Sequence, residues 1–210
     1  MTVCRQRDAE ASKVKIIENA MILFSKKGFD ATTVDDIAAA CGVNKALLYY
    51  YYKNKAGLYE AVMMHVLGAI YEEVVTAGSR CGDPLSELET FIKTYADYAE
   101  KQPYFPALML RELSDSGAHL PEMMFSSMRR LFALLSAILE RGEKEGLFHN
   151  VVPMVIHFMI VGTLNLLVTT APLRVQAAQT DDSVDTCSDC RMSEIADYLF
   201  EKAKLMLEVN

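Results

Sequence analysis

Residues 32–55 read TTVDDIAAACGVNKALLYYYYKNK, and this stretch decides the fold. Thr33, followed three residues later by Asp36, forms a capping box that begins a first short helical segment. Gly42 permits the positive φ of a tight turn, and Asn44 is a typical N-cap for a second segment. Two short helices joined in this way predict a helix-turn-helix, the motif that presents a short helix to a DNA groove.

The second segment should expose most of its side chains, because Val43, Leu48 and Tyr52 are assigned to the core. The four consecutive tyrosines cover more than half a helical turn, so they cannot all be buried in a small head. Tyrosine hydroxyls reach phosphates, and tyrosine rings pack on sugars or thymine methyl groups. The residues expected to face the groove are Asn44, Lys45, Leu47, Tyr49, Tyr50 and Tyr51.

Phosphate contacts are expected at the two ends of this stretch. Lys55 begins the following helix, where its ammonium and the first backbone amides favour an anion. Thr32 and Thr33 lie at the start of the first segment and are predicted to clamp the DNA backbone.

The remaining sequence predicts an all-α protein of about nine helices. Apolar residues recur at helical spacings, and no alternating strand pattern is present. Gly28 predicts the end of the first helix. Residues 171–191 are poor in large apolar side chains and are predicted to form a long connection without structure before the last helix. The predicted division is a DNA-binding head over residues 1–54 and a ligand-binding and dimerisation body over residues 55–210.

The N-terminal and C-terminal parts of the chain also differ in charge, although the formal net charge of the whole chain is −7 at pH 7. Residues 1–60 contain nine Lys and Arg against seven Asp and Glu, whereas residues 61–210 contain twelve against twenty-one. A mildly basic head on an acidic body is compatible with DNA binding by the head alone.

Other functional classes find little support in the sequence. The four histidines are dispersed, and there is neither a glycine-rich phosphate loop nor a nucleophile motif, so an enzyme is not expected. The N-terminus lacks the apolar segment of a secretory signal, and the longest apolar run, residues 151–168, contains polar residues that favour a buried helix over a membrane span. A cytoplasmic protein is expected.

The stretch ATTVDDIAAACGVNKALLYYYYKNKAGLYEAV (residues 31–62) resembles the N-terminal domain of the tetracycline-repressor (TetR) family of bacterial transcription regulators. The resemblance extends over residues 14–62 and keeps the spacing of the turn, cap, tyrosine pair and Lys-x-Lys. Ala46 and Leu47 stand where that family often has Gly and Thr, and Tyr51-Tyr52 where it has His-Phe, so the operator cannot be transferred from a relative. The DNA contacts that the resemblance implies are Thr33, Lys45, Leu47, Tyr49, Tyr50 and Lys55.

A homodimer is expected, because one short helix makes too few base contacts to select one site in a genome. The two C-terminal helices are more apolar than one core requires and are predicted to form a four-helix bundle with their copies. The two heads would then bind a palindromic double-stranded DNA operator. Repression is the default that the resemblance implies.

The body is predicted to enclose a small, largely apolar effector, with no cofactor required. The candidate lining combines aromatic and methionine side chains with two polar anchors on one helix, and for each candidate a plain core role is the more frequent alternative. These residues are Phe91, Tyr95, Tyr98, Tyr104, Phe105, Met109, Met124, Met128, Phe132, His157 and Asn165.

Cys187 and Cys190 leave an alternative open. Their spacing suits half of a metal site or a redox pair, which would make the protein a metal- or redox-responsive regulator. No second cysteine pair or histidine cluster lies near them in the sequence, so no metal site is assigned.

Overall fold

The computed structural model describes residues 2–180 and 185–209, apart from the side chains of residues 2–9 and 123–124. Ten helices cover this part of the chain, which confirms the predicted all-α fold. Regular structure outside them is limited, among the described residues, to an isolated bridge between Phe148 and Glu208. The helices are α1 (Thr2–Ala31), α2 (Val34–Cys41), α3 (Lys45–Tyr52), α4 (Lys55–Gly78), α5 (Pro84–Lys101), α6 (Tyr104–Ser114), α7 (Glu122–Lys144), α8 (Pro153–His157, Phe158–Gly162 and Thr163–Thr169), α9 (Ala171–Ala178) and α10 (Met192–Leu207).

Helix α9 corrects, for Ala171–Ala178, the prediction that residues 171–191 lack structure; residues 181–184 of that stretch lie outside the described residues. Pro172 lies in the first turn of α9, where its fixed φ is preorganised for a helix. Leu173, Arg174 and the alanines that follow are good helix formers. The sequence of residues 171–191 predicted a loop because it contains few large apolar side chains. A helix whose side chains are mostly exposed has the same composition.

Helix α8 contains one π-helical turn, Phe158–Gly162, between two α-helical segments. In a regular α-helix, residues eight positions apart diverge by about 80° around the axis. The wider π turn takes up one additional residue, which brings His157 and Asn165 closer to the same face. The turn therefore reduces the angle between the two predicted polar anchors of the body, although His157 contacts Phe132 of α7 and Asn165 contacts Tyr95 of α5.

The chain forms two compact units, which contain Met1–Gly68 with Ala107–Ser127, and Ala69–Pro106 with Met128–Asn210. The predicted functional boundary after residue 54 remains a prediction. Helices α4 and α6 each continue from one unit into the other. In the first unit, Phe24 packs edge-on against Tyr59 with ring centroids 4.8 Å apart.

The second unit is built around α5, which packs against α10 and the last segment of α8. One apolar face of α5 and one of α10 are buried, and each large apolar side chain that is fully buried contributes about 1.5–3 kcal/mol. The buried residues of these faces include Leu88, Ile92, Ala99, Ala196, Phe200 and Leu207.

No single helix in the described parts of the chain is long and apolar enough to span a membrane. Pro153–Thr169 and Ala171–Ala178 meet that length and composition test only when taken together, across a bend of 61°.

Candidate functional site

Helix α2 begins at the predicted capping box. The Thr33 hydroxyl accepts from the amide of Asp36 at 3.0 Å, and the Asp36 carboxylate accepts from the amide of Thr33 at 3.3 Å. The Thr33 amide, together with Lys27 at 3.2 Å, lowers the pKa of Asp36. Thr33 is exposed. Thr32, in contrast, is fully buried, and its hydroxyl donates to the carbonyl of Gly28 at 2.7 Å, so this side chain does not face solvent.

The turn and the second cap orient α3. Gly42 has a φ of 65°, in the left-handed region that the sequence predicts. The Asn44 side chain accepts from the amide of Ala46 at 2.8 Å. Leu48 is 2% exposed and Val43 is half-buried, which anchors the inner face of α3.

The outer face of α3 carries the predicted aromatic side chains. Tyr50 is 80% exposed and Tyr49 is 45% exposed. Lys45 donates to Asp35 at 2.8 Å, which raises its pKa, and its ammonium lies 5.9 Å from the centroid of Tyr49. Leu47 is half-buried. A cation and two phenol rings therefore share one solvent-facing surface, which we call the α3 face (Lys45, Leu47, Tyr49 and Tyr50).

The last two tyrosines turn progressively inward. Tyr51 is half-buried, and its ring lies 5.3 Å from that of Tyr50. Tyr52 is also half-buried, and its hydroxyl donates to the carbonyl of Lys13 at 3.3 Å. Burial raises the pKa of Tyr52 to about 12. Tyr52 thus contributes to fixing α3 on α1.

The ammonium group of Lys55 makes its contacts within this chain. This group donates to the carbonyls of Phe29 at 2.9 Å and Asp30 at 3.3 Å, and it lies 4.3 Å from the centroid of the Phe29 ring. These carbonyls follow Gly28, whose φ of 82° and ψ of 172° interrupt the helical conformation of α1 as the sequence predicts. Lys55 therefore fixes α4 to α1. The neighbouring Lys53, which the sequence reasoning did not select, is exposed.

Helix α4 starts close to the end of α3. Asn54 accepts from the amide of Gly57 at 2.8 Å and so caps α4. A Cβ at Gly57 would lie 2.3 Å from the carbonyl oxygen of Tyr52. Only glycine permits this close approach of the two helices.

The C-terminal part of α6 belongs to the same compact unit as the helix-turn-helix. The Tyr59 hydroxyl of α4 donates to the Glu112 carboxylate of α6, and both residues are buried. Burial, and secondly Glu112, raise the pKa of Tyr59. Arg111 donates to the carbonyl of Lys26 at 3.2 Å, so α6 also contacts the end of α1.

The loop after α6 adds a further contact with the end of α1. His119 lies 3.4 Å from both Asp30 and Asp115, and its ring centroid is 4.7 Å from that of Phe29. The helix-turn-helix, α4 and α6 are thus linked through one small group of residues. The sequence reasoning missed Glu112, Arg111 and His119, because their partners lie about 50 to 90 positions away in the chain.

The predicted effector residues fall into two aromatic groups in the second unit. Phe105 lies 6.3 Å from Tyr95 and 5.7 Å from Tyr98 between ring centroids, and Phe91 stacks on Tyr95 at 6.4 Å. The Tyr95 hydroxyl donates to Asn165 at 3.0 Å. This group connects α5, α6 and α8 through buried aromatic and polar contacts.

The second group pairs Phe132 of α7 with His157 of α8, whose rings meet edge-on at 5.5 Å. Burial lowers the pKa of His157, so the imidazole is neutral at pH 7. Its Nδ1 and the Ser136 hydroxyl, one turn from Phe132, are buried polar atoms without a hydrogen bond in the described structure. The sequence reasoning missed Ser136, because serine on an amphipathic helix gives no distinctive pattern.

The other predicted effector residues are dispersed. Tyr104 and Met128 are half-buried in the second unit, and Met109 is buried in the first. The side chain of Met124 lies outside the described residues. A cavity of about 330 Å³ between α5 and α10 is lined by different residues, which are Lys93, Ala96, Asp97, Glu100, Ser193, Ala196 and Asp197.

Cys187 and Cys190 form a disulfide, with Cα atoms 5.1 Å apart. Both sulfur atoms are therefore occupied, whereas a metal site would need their thiolates. Across the described residues, no three His, Cys, Asp or Glu side chains form a cluster that holds a metal ion.

Comparison with known proteins identifies the class. Residues 16–62 match the family described as bacterial regulatory proteins, tetR family, and residues 84–196 match the tetracyclin repressor-like C-terminal domain. These matches cover most of the chain, so the protein belongs to the TetR family of DNA-binding transcription regulators.

Individual relatives agree with this assignment. The transcriptional repressor NicS of Pseudomonas putida is 23% identical over 167 residues, which are 78% of each chain. A TetR family regulator from Marinobacter aquaeolei superimposes with a TM-score of 0.75 and 22% identity, covering 98% of this chain and 100% of that one. FadR from Bacillus subtilis, solved with stearoyl-CoA, gives 0.71 and 19% identity, covering 92% and 98%. At these identities the two structures establish the shared fold.

The two neighbouring lysines give a direct test of the site geometry. We expect Lys55→Met to lower the free energy of unfolding by about 1–2 kcal/mol, because two carbonyls lose a charged hydrogen-bond donor. Lys53→Met should change it by less than about 0.5 kcal/mol, as is usual for an exposed side chain. Urea unfolding of the two variants measures the difference, and equal effects would show that the Lys55 contacts do not stabilise the head.

Proposed function

We propose that the protein is a ligand-responsive repressor that binds a palindromic operator as a homodimer in the cytoplasm and releases it when a small, largely apolar effector binds. The observation that carries this proposal is the α3 face. Large exposed aromatic side chains are a liability on a free surface, but they suit a helix that enters a DNA groove.

We select the proposed DNA contacts by the solvent exposure of their side chains. Lys45, Tyr49 and Tyr50 lie on the α3 face and can reach bases or phosphates. The exposed pair Lys45–Asp35 contributes little, so exchanging Asp35 for a phosphate costs little. Leu47 and Tyr51 supply apolar contact beside these residues, while Thr33 and Asn44 lie exposed at the starts of α2 and α3.

Two residues that the sequence predicted as DNA contacts, Thr32 and Lys55, have structural roles in this proposal. Thr32 is buried, so its role is to hold the end of α1. Lys55 is committed to the carbonyls of Phe29 and Asp30, so we assign it a positioning role and propose the exposed Lys53 as the phosphate contact at this end.

The proposed dimer interface lies on α8 and α10. Both helices expose apolar side chains that one copy leaves uncovered, and contiguous exposed apolar surface is typical of interfaces. A second copy buries both faces in one bundle and sets the spacing of two recognition helices, about 34–36 Å for successive major grooves. The exposed residues are Met154, Val155, Phe158, Met159, Leu166, Tyr198, Leu205 and Met206.

The proposed effector site is the aromatic region between α5, α7 and α8. Phe91, Tyr95 and Phe132 offer apolar surface, while the neutral His157 and the Ser136 hydroxyl offer hydrogen bonds. This combination favours an uncharged polar group on an apolar molecule. Stearoyl-CoA in FadR shows that a regulator of this fold can hold a long apolar chain.

Effector binding is proposed to act through α4 and α6, because both helices continue from the second unit into the first. A shift of α6 would displace Glu112 from Tyr59 and Arg111 from the end of α1. The distance between the two recognition helices would then change, and coupling of this kind is typically about 1–3 kcal/mol.

DNA binding can be measured by fluorescence anisotropy with the region upstream of the protein's own gene. We expect Lys45→Met to weaken binding of all sequences and to reduce the salt slope by about one, because one phosphate contact is lost. Leu47→Ala should instead change base preference. Lys101→Met, an exposed lysine on α5 paired with Asp97, is the matched control and should bind as wild type does. Equal salt slopes for the Lys45 and Lys101 variants would refute the proposed face.

Dimerisation can be measured by sedimentation equilibrium. We expect Phe158→Arg to weaken association more than tenfold, because burying an unpaired charge at an interface costs several kcal/mol. Leu113→Arg is the control, since Leu113 is 51% exposed on α6, outside the proposed interface. An unchanged dimer in the Phe158 variant would exclude this interface.

A further inference from the structure

The disulfide between Cys187 and Cys190 lies in the loop immediately before α10. Cys190 is exposed and Cys187 is half-buried, so small thiols in solution can reach the Cys190 sulfur. In a reducing compartment, disulfides that form are usually transient and take part in catalysis or redox sensing.

The side chain of Arg174 connects this loop to α8 and α9. The guanidinium of Arg174, in α9, donates to the carbonyl of Cys187 and, at 2.7 Å, to the carbonyl of Leu167 in α8. The Asp185 carboxylate accepts from the amide of Cys187 at 2.9 Å. Arg174 can therefore bind the loop and α8 at the same time only while the carbonyl of Cys187 stays within reach of its guanidinium.

The oxidised loop holds Cys187 in an uncommon conformation. Its φ is 50°, in the left-handed region that residues other than glycine rarely adopt. Such conformations persist where the surrounding structure imposes them. Opening the disulfide removes one of those constraints, so Cys187 can relax and withdraw its carbonyl from Arg174.

The same loop determines how α10 begins. Arg191 follows Cys190 directly, and both its amide, at 3.3 Å, and its guanidinium Nε, at 3.0 Å, donate to the carboxylate of Glu194 in the first turn of α10. Helices α8 and α10 carry the exposed apolar side chains described above. A change in this loop therefore acts on both helices of the proposed dimer interface.

We propose that Cys187 and Cys190 are a reversible redox-modification site that controls association of two copies through α8 and α10, with the oxidised form associating more tightly. The inference rests on the proposed homodimer and adds a second input, independent of the effector.

The chemistry is thiol–disulfide exchange with a low-molecular-weight disulfide. The Cys190 thiolate attacks that disulfide, whose sulfur–sulfur bond breaks and releases one thiol. The Cys187 thiolate then attacks the Cys190 sulfur in the mixed disulfide and displaces the second thiol. Two electrons pass from the protein dithiol to the small disulfide, the two protein protons end on the released thiols, and excess small thiol reverses both steps.

The test uses the full chain in buffers with defined ratios of reduced to oxidised glutathione. Alkylation and mass spectrometry measure the oxidised fraction of the pair, and sedimentation equilibrium measures the dimer dissociation constant. We expect the pair to interconvert and reduction to raise the dissociation constant about tenfold, within the usual range of coupling between sites.

Three variants separate the pair from other effects. Cys187→Ser combined with Cys190→Ser should show the weaker association in every buffer. Arg174→Met should give the oxidised chain the weaker association, because the link between loop and helices is lost. Cys81→Ser, which removes a free thiol elsewhere, should respond to glutathione as wild type does.

Several outcomes would overturn the inference. A pair that stays reduced in excess oxidised glutathione is not a redox site, and a pair that interconverts without changing the dissociation constant has no control over association. A monomer in both redox states would overturn the proposed homodimer together with this inference, whereas a dimer indifferent to redox state would overturn the inference alone.

Discussion

A buried hydrogen bond from Tyr59 to Glu112 joins α4 to α6 within the first compact unit. A carboxylate is rarely buried unless its oxygens find partners, and the second oxygen of Glu112 makes no hydrogen bond in the described structure. The Tyr59 hydroxyl therefore largely determines whether α6 can stay against α4. Because α6 also contacts the end of α1 through Arg111, the bond from Tyr59 to Glu112 helps to hold the helix-turn-helix against α6, one of the two helices through which effector binding is proposed to act.

The geometry of the head could be predicted because its determinants are local. The capping box at Thr33, the left-handed Gly42 and the cap at Asn44 each depend on residues two to four positions apart, and all three are present in the structure. The side-chain partners of Thr32 and Lys55 could not be predicted in this way. The Lys55 ammonium meets carbonyls 25 and 26 positions earlier, and only the packing of α4 on α1 brings them together.

For the body, the sequence predicted the helices and their apolar faces, but not the local irregularities or the side-chain contacts. Helical spacing located the apolar stripes of α5 and α10, and the aromatic character of α5 indicated the group around Tyr95. Spacing did not reveal the π-helical turn between His157 and Asn165, nor helix α9, whose exposed composition resembles that of a loop. The Cys187–Cys190 pair was visible as a motif, but its contact with Arg174, 13 positions before Cys187, depends on the fold of the loop.

The helix-turn-helix and most of α6 belong to one compact unit, and we expect the bond from Tyr59 to Glu112 to make them open cooperatively. Hydrogen exchange of Tyr59→Phe tests it most directly, because this variant removes one hydroxyl and leaves a buried carboxylate unpaired, at a cost of about 1–3 kcal/mol. We expect faster amide exchange both in α6 and across α2 and α3, although α2 and α3 contain neither Tyr59 nor Glu112. Faster exchange confined to α6, with α2 and α3 unchanged, would contradict it.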